Sequence, residues 1–552
     1  MSNPTNVSII PLGGLGEFGM NAMLVECGGD MILIDIGMTP SRRFGIDMAL
    51  PDIGYLIERR EQLRGIVLTH GHEDHIGSLW HVLKHAPAPV YGTDLTLELA
   101  KNRLKEWGVL ADADLNVIDA DDRLEFGNIA CDFLRVSHSF PNTLAAVLRT
   151  PIGTILHTSD FKLGGPLDAD QFDAAGFALL GEEGILALLS DSTNTESPGF
   201  SPPESSVRPQ LTEIFRSSRR RIIASTFASS LRRIQQLIDL AAEFGRQIAV
   251  AGRSMVNNTR AASELGHLWL PSNATIDLRR AKELPPDEVM VLMTGSQGEP
   301  FSALSMMADG SYGRFRIEKG DSVILSARVI PGCEKDVARV VDNLYRLGAD
   351  VYYSGNCDGL HASGHGYRED LRMMIQLTRP RYFIPIHGDY RQLHQHALLA
   401  EESGVSPQHI HVIENGDRLE ISEERCEVVE KVRAGRVLVD GQMLERLDEI
   451  VLRDRRQLSE DGMAIAILVR CQETGEPLAE PEIVSRGFVY MDESEELVNQ
   501  AKAVALEALK AMPPEERAHK EAAQEAVRVA LRRYFSKNTD RRPVILPVVL
   551  DV

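Results

Sequence analysis

At 552 residues the chain has room for about three domains. Its 43% hydrophobic and 25% charged content is that of an ordinary globular protein, and no apolar run reaches the ~20 residues a membrane span needs. The balance of 59 Lys+Arg against 80 Asp+Glu, a net charge of −21, excludes a protein that coats nucleic acid through bulk positive charge; a local basic groove, or metal ions that meet phosphates, remains compatible. Six cysteines (Cys27, Cys131, Cys333, Cys357, Cys426, Cys471) lie far apart with no C-x-x-C, the pattern of free thiols in a reducing compartment. Met1-Ser2-Asn3-Pro4 has neither a charged n-region nor an apolar core, so the expectation is a cytoplasmic protein without a secretion signal.

Val7–Ile10 predicts a first strand, followed by a glycine-rich turn. Gly14, Gly16 and Gly19 spell G-x-G-x-x-G, with Asp35 about 20 residues on, the form of a dinucleotide fingerprint. That fingerprint needs a helix after the glycines. Here Asn21–Cys27, a Gly28-Gly29-Asp30 turn and Met31–Gly37 predict a β-hairpin instead. The glycines are expected to let a loop approach something closely. Asp35 closes an apolar strand, either as a turn residue or as a hydrogen-bonding support for a neighbouring loop.

Leu63–Leu68 predicts a short buried strand, and Ile76–Leu83 has helical apolar spacing. Between them stands Thr69-His70-Gly71-His72-Glu73-Asp74-His75, an H-x-H-x-D-H run. In an extended loop His70 and His72 point to one side. Asp74 and His75 begin the helix and face another way, so one loop can serve two neighbouring ions. Imidazole suits zinc, and a carboxylate adds charge neutralisation or a bridge.

Residues 94–107 predict an amphipathic helix, and further strands end at Ser137-His138, at His157-Thr158-Ser159-Asp160 and at Ser190-Asp191. A lone polar residue at a strand end is usually a turn residue. Four in succession (His70, His138, Asp160, Asp191) describe a site along one sheet edge. After Ser197-Pro198-Gly199 the rhythm changes. Strands near 221–226, 246–251, 288–294, 321–326 and 350–354 alternate with helical stretches, which is βαβ spacing and a parallel sheet. Ser229-Ser230-Leu231-Arg232-Arg233, at a strand-to-helix turn, suits a phosphate or simply caps a helix. His361-Ala362-Ser363-Gly364-His365 and Ile386-His387-Gly388-Asp389 return to histidines at element junctions, so the parallel-sheet domain reads as an insertion. Met463–Val469 opens a third unit with two helices (about 495–512 and 514–536) and a last strand at 544–549.

These residues, in this order, resemble the β-CASP nucleases of the metallo-β-lactamase superfamily, and among them the bacterial ribonuclease J family. The resemblance implies an α/β protein: a metallo-β-lactamase αββα sandwich at 1–205 and 356–440, an inserted β-CASP domain at 206–355, a linker at 441–460 and a small α/β domain at 461–552. It implies two zinc ions, one held by His70, His72 and His138 and the other by Asp74, His75 and His387, with Asp160 bridging. Mn2+ or Mg2+ could stand in. Asp191 and His365 would be catalytic. Ser229 to Leu231 and His361 to His365 would cradle substrate phosphates. A structural calcium would sit at the Gly45 carbonyl, Asp47 and Asp440. The implied function is 5′-to-3′ exonuclease and endonuclease cleavage of 5′-monophosphorylated single-stranded RNA, in RNA maturation and decay, by a homodimer or homotetramer. A β-CASP DNA nuclease, or a small-molecule metallo-hydrolase of the same fold, is the alternative.

Overall fold

The computed structural model describes residues 4–40, 46–164, 172–271, 274–330, 332–440, 449–488 and 495–552. They pack as two units, the second made of Pro40–Met48 and Val437–Val552.

The larger unit contains two facing sheets. The first has eight strands in the order Cys426–Lys431, Asp417–Ile421, Val7–Gly13, Ala22–Cys27, Asp30–Ile34, Leu63–Val67, Val90–Gly92 and Leu115–Val117. The second has six, in the order Tyr382–Ile386, Ala187–Asp191, Gly153–His157, Leu144–Thr150, Ile129–Arg135 and Arg123–Phe126. The central strands do not alternate between buried and exposed positions because both their faces are covered: Val7–Gly13 and Ala187–Asp191 are buried throughout. Ile9, Val25, Ile32 and Ile34 of the first sheet meet Phe133, Ala146, Leu148, Ile155 and Ile384 of the second in one core. Helices Ala174–Glu183, Arg368–Thr378 and Tyr390–Glu402 cover the outer face of the second sheet through Phe177, Leu371, Met374 and Leu399. The hairpin Ala22–Cys27/Asp30–Ile34 follows the glycine turn, as the sequence predicts, and no helix intervenes.

Between Ile222 and Tyr352 lies a separate six-stranded sheet, parallel throughout: Thr275–Ile276, Gln247–Ala251, Val289–Met293, Ile222–Ser225, Ser322–Leu325 and Asp350–Tyr352. Its crossovers carry helices, which bury strands such as Val289–Met293 completely. The chain returns from it to the second sheet at Tyr382–Ile386, which pairs in parallel with Ala187–Asp191. The insertion therefore leaves and re-enters beside neighbouring strands.

The smaller unit has the sheet order Glu482–Arg486, Met463–Arg470, Val544–Asp551. Alternate burial along Met463–Arg470 turns one face to helices Glu495–Lys510 and Lys520–Thr539, through Ala464, Leu468, Val498, Leu509, Val527 and Leu531. Two details differ from the sequence reading. Pro513-Pro514 sets off a separate turn, Pro514–Arg517, so the last long helix starts only at Lys520. The second half of the expected linker is the helix Glu449–Asp461; residues 441–448 lie outside the described set. Among the described residues no helix is long and apolar enough to cross a membrane.

His81 and His396 are among the enclosed histidines of the larger unit, and the acids that favour their charged forms, Asp52 for His81 and Asp191 for His396, do not offset burial. Burial, and then the neighbouring His85, pushes His81 from the ordinary 6.5 down to about 4. Burial pushes His396 down to about 3. The folded chain keeps both rings neutral, whereas the unfolded chain protonates them below about 6.5. Protonation thus draws the equilibrium toward unfolding as pH falls. The thermal midpoint is expected to drop between pH 6.5 and 4, and His396→Gln to flatten that slope; parallel slopes for the two proteins would refute the assignment.

Candidate metal centre

The site forms where strand ends meet. His70 follows Leu63–Val67, His138 follows Ile129–Arg135, Asp160 follows Gly153–His157, Asp191 ends Ala187–Asp191, and His387 follows Tyr382–Ile386. Each strand is mainly apolar and hands over to a polar residue at the edge, so five separate loops converge. Three positions bend sharply: Asp35, Ser159 and His387 hold left-handed backbones with φ of 58°, 57° and 55°. Such conformations are rare outside glycine and concentrate where a site demands them.

The glycine loop takes part as well. The Gly16 N–H donates to the Gly388 carbonyl at 2.9 Å, bracing the turn that carries His387. Gly37 lies so close to the Asp74 carbonyl that a Cβ there would stand 1.6 Å away. Of the motif glycines, Gly16 brings its loop to the His387 turn through that hydrogen bond, while the tight packing on the Asp74 loop is at Gly37, outside the motif.

Hydrogen bonds around the cluster fix the tautomers of four imidazoles. His75 Nδ1 donates to Asp35 Oδ2 at 2.7 Å. The Thr69 hydroxyl donates to the same carboxylate at 2.9 Å, which leaves its oxygen to accept from His70 Nδ1 at 3.1 Å. His138 Nδ1 donates to the Gly364 carbonyl at 2.8 Å. The Thr193 hydroxyl donates to Asp191 Oδ1 at 2.7 Å and accepts from His387 Nδ1 at 2.7 Å. Each ring therefore turns an Nε2 lone pair inward, the arrangement that outer partners impose on metal-ligating histidines.

The inward atoms fall into overlapping groups: His70, His72, His138 and Asp160; Asp74, His75, Asp160 and His387; and Asp160, Asp191, His365 and His387. Within a group all ligand atoms lie within 4.8 Å of one another, and Asp160 belongs to all three. Asp160 Oδ2 stands 3.2 Å from His75 Nε2, 3.6 Å from His70 Nε2 and 3.8 Å from His138 Nε2. His387 Nε2 is 3.5 Å from both Asp74 Oδ2 and Asp160 Oδ1.

The donor set fits divalent cations. Asp160 Oδ2 and His387 Nε2 are buried without a hydrogen-bond partner. His72 Nδ1 faces His70 Nε2 at 3.0 Å and His138 Nε2 at 3.2 Å, lone pairs that only a shared cation or proton reconciles. Burial and the neighbouring imidazoles hold His70 and His138 well below the ordinary histidine range, and burial holds His72 at about 4, so all three are neutral and ready to bind a metal. On the other side burial works against charge at His75 and His387, but Asp160 and its neighbouring acids pull both well upward. Positive charge is wanted where Asp74, His75, Asp160 and His387 meet.

His365 belongs only to the third of these groups. Its Nδ1 donates to Asp191 Oδ2 at 2.7 Å, and its Nε2 lies 3.9 Å from Asp160 Oδ2. Burial opposes its protonation, yet Asp191 and Asp160 raise its pKa. Asp191 itself would be raised by burial, but His365 and His387 hold it far below the carboxylate range.

His361 is pushed down to about 3 by burial and then by Arg233, Arg328 and Lys162, so a neutral ring sits among three cations. The Ser363 hydroxyl oxygen accepts from Asn194 Nδ2 at 2.8 Å and from the His365 N–H at 3.1 Å. Ala362 and Gly364 are buried in the same segment. Ser229 and Ser230 end the loop before the helix Leu231–Glu243 of the inserted sheet. The expected calcium ligands are only partly among the described residues. Gly45 lies outside the described residues. The Asp47 N–H donates to the Val439 carbonyl at 3.0 Å, and the Asp440 carboxylate is taken by Arg455 at 2.5 Å. Among the described residues Asp47 and Asp440 belong to no three-ligand group.

Sequence reasoning passes over Thr69, Thr193 and Asn194, and over the role of Asn21, which donates through Nδ2 to the Asp74 carbonyl at 3.0 Å. Thr69 and Thr193 each sit one or two residues from a ligand motif, which is the one signal that could have singled them out.

Four family models match the chain: the metallo-beta-lactamase superfamily over residues 15–197, the ribonuclease J beta-CASP domain over 219–344, the Zn-dependent metallo-hydrolase RNA specificity domain over 358–413 and the ribonuclease J C-terminal domain over 450–552. Ribonuclease J2 of Bacillus subtilis is 37% identical over 553 residues, covering 100% of this chain and 99% of that protein. Ribonuclease J 1 of Streptococcus pyogenes is 37% identical over 549 residues, covering 99% of this chain and 98% of that one. Among solved structures, a protein of unknown function from Enterococcus faecalis aligns with a TM-score of 0.52 at 16% identity over 75% of this chain and 100% of its own, a likeness of fold. Two facing sheets with an inserted parallel sheet, a cluster of histidines and aspartates at their edge, and kinship along the whole length place this chain in the ribonuclease J family of β-CASP metallo-β-lactamase proteins.

Proposed function

We propose that this chain is a metal-dependent ribonuclease that removes nucleotides from the 5′ end of single-stranded RNA and also cuts internally, in the maturation and decay of cellular RNA. The observation that carries the reading is the convergence of Nε2 lone pairs on Asp160 beside a His365–Asp191 pair. His70, His72 and His138 would hold one zinc ion, and Asp74, His75 and His387 the other, with Asp160 shared between them. Manganese or magnesium could substitute. When bound, such a pair makes water acidic enough to attack near neutral pH and neutralises charge on the phosphate.

The remaining work falls to the protein. Asp191 holds Nδ1–H of His365 and favours its protonated form, so Nε2 is placed to give a proton to the departing 3′ oxygen. Thr193 and Asp35 keep His387 and His75 from turning. Ser229 to Leu231 and His361 to His365 receive the 5′ phosphate through hydroxyls and backbone N–H groups, and the cations around His361 supply the favourable potential. Zinc and a cytoplasmic, homodimeric or homotetrameric enzyme belong to the same proposal. For assembly, the last strand, Val544–Asp551, presents Leu546 and Leu550 half-exposed.

Product analysis on one labelled RNA carrying a 5′-monophosphate, a 5′-triphosphate or a 5′-hydroxyl tests the reading. Mononucleotides are expected from the monophosphate form well ahead of the others. A DNA strand of the same sequence, run alongside, is expected to survive. Equal release from all three ends would remove the 5′ pocket, and faster release from DNA would remove the ribonuclease assignment.

A further inference from the structure

Arg233 is enclosed almost completely, at 1% relative exposure, on the helix Leu231–Glu243 of the inserted domain. A buried guanidinium is expensive unless every donor is used. Nε donates to Glu204 Oε1 at 2.6 Å. Nη1 donates to Ser326 Oγ at 2.6 Å and to the Leu360 carbonyl at 2.7 Å. The Ser326 hydroxyl donates to that same Leu360 carbonyl at 2.7 Å.

The partners come from three places. Glu204 lies where the chain enters the insertion, Ser326 follows the strand Ser322–Leu325, and Leu360 lies on the way out. Arg233 itself comes two residues after Leu231, and Leu360 immediately precedes His361. One side chain thus ties Ser229–Leu231 to His361–His365, segments more than a hundred positions apart in sequence. Planarity matters here: the fork serves the carboxylate from Nε and the carbonyl from Nη1 in fixed directions, whereas an ammonium has all its donors on one nitrogen.

We propose that Arg233 is a positioning residue that sets the spacing between the two halves of the 5′-phosphate cradle and thereby the preference for a phosphorylated RNA end. This rests on the cradle assigned above. A phosphate is held by hydroxyls and N–H groups only when both halves stand at hydrogen-bond distance together. Letting the Ser229–Leu231 half drift forfeits the added contacts and moves no metal ligand, whereas the other half carries His365 and the Gly364 carbonyl on which His138 rests.

The test uses the full chain with zinc, and two variants. Arg233→Lys keeps the charge and loses the fork. Ser326→Ala removes only the bridging hydroxyl and spares the fold should Arg233→Lys not fold. Three RNAs of one sequence are compared: 5′-monophosphorylated, 5′-hydroxyl and circular, the last offering no end. For Arg233→Lys the advantage of the monophosphate over the hydroxyl end is expected to shrink about tenfold relative to circular-RNA cleavage, through KM, as loss of one good charge-assisted contact would give. Ser326→Ala is expected to shift the same ratio in the same direction by less. If both variants keep the wild-type advantage, or if Arg233→Lys lowers all three activities equally while Ser326→Ala matches wild type, Arg233 is structural only and the proposal is overturned. A wild-type enzyme indifferent to the 5′ phosphate would overturn the cradle, and this assignment with it.

Discussion

Asp160→Asn is expected to lower RNA hydrolysis by more than about 10²-fold, beyond the upper end of what losing an outer partner of a metal ligand costs. The reason is its position. Its carboxylate belongs to every ligand group of the cluster, and one of its oxygens is buried with no hydrogen-bond partner. Burial would keep that carboxyl neutral, but His387, His75 and His365 hold it ionised well below the ordinary range. An amide is isosteric and uncharged, and it turns an N–H₂ toward lone pairs that need a cation. Metal bound per chain, read by elemental analysis after gel filtration, is expected to fall along with activity. Turnover within tenfold of wild type at full metal content would show that Asp160 is not the shared ligand.

His365→Gln is expected to lower kcat by about 10²–10⁴-fold, the contribution typical of a positioned general acid or base, while metal content stays near wild type. The contrast with Asp160 separates proton handling from ion binding. Asp191→Asn adds a pH signature. Asp191 and Asp160 raise the pKa of His365 against the effect of burial. Removing the Asp191 charge lets the proton leave His365 at lower pH, so the alkaline limb of the activity profile is expected to move down the pH scale. An unmoved or upward-shifted limb would take His365 out of the proton path, and loss of metal in His365→Gln would make it a ligand instead.

Much of the site was legible in the sequence because ligands sit where an apolar strand stops. His70, His138, Asp160, Asp191 and His387 each close such a run, and the structure brings all of them together. The glycine motif was legible in the negative: no helix follows Gly19, so the turn serves contact rather than nucleotide binding. Thr193 was not legible. A threonine between a serine and an asparagine carries no pattern, and its value comes from being within 2.7 Å of two groups almost two hundred residues apart. Arg233 follows Arg232 at a helix start, and only tertiary packing distinguishes the two. The helix Glu449–Asp461 was hidden for the opposite reason: its charged sequence, with few apolar positions, reads as linker.

The bent backbones at Asp35, Ser159 and His387 carry a consequence for how this protein can be improved. Each left-handed residue costs the native state about 1–2 kcal/mol that glycine would not incur. At Ser159 a glycine removes no ligand, so thermal selection has a free step there. At Asp35 and His387 the same step deletes a carboxylate or an imidazole that the cluster uses. Breeding this protein for heat tolerance alone should therefore drive it toward a sturdier but inert chain, unless every round is also screened for turnover.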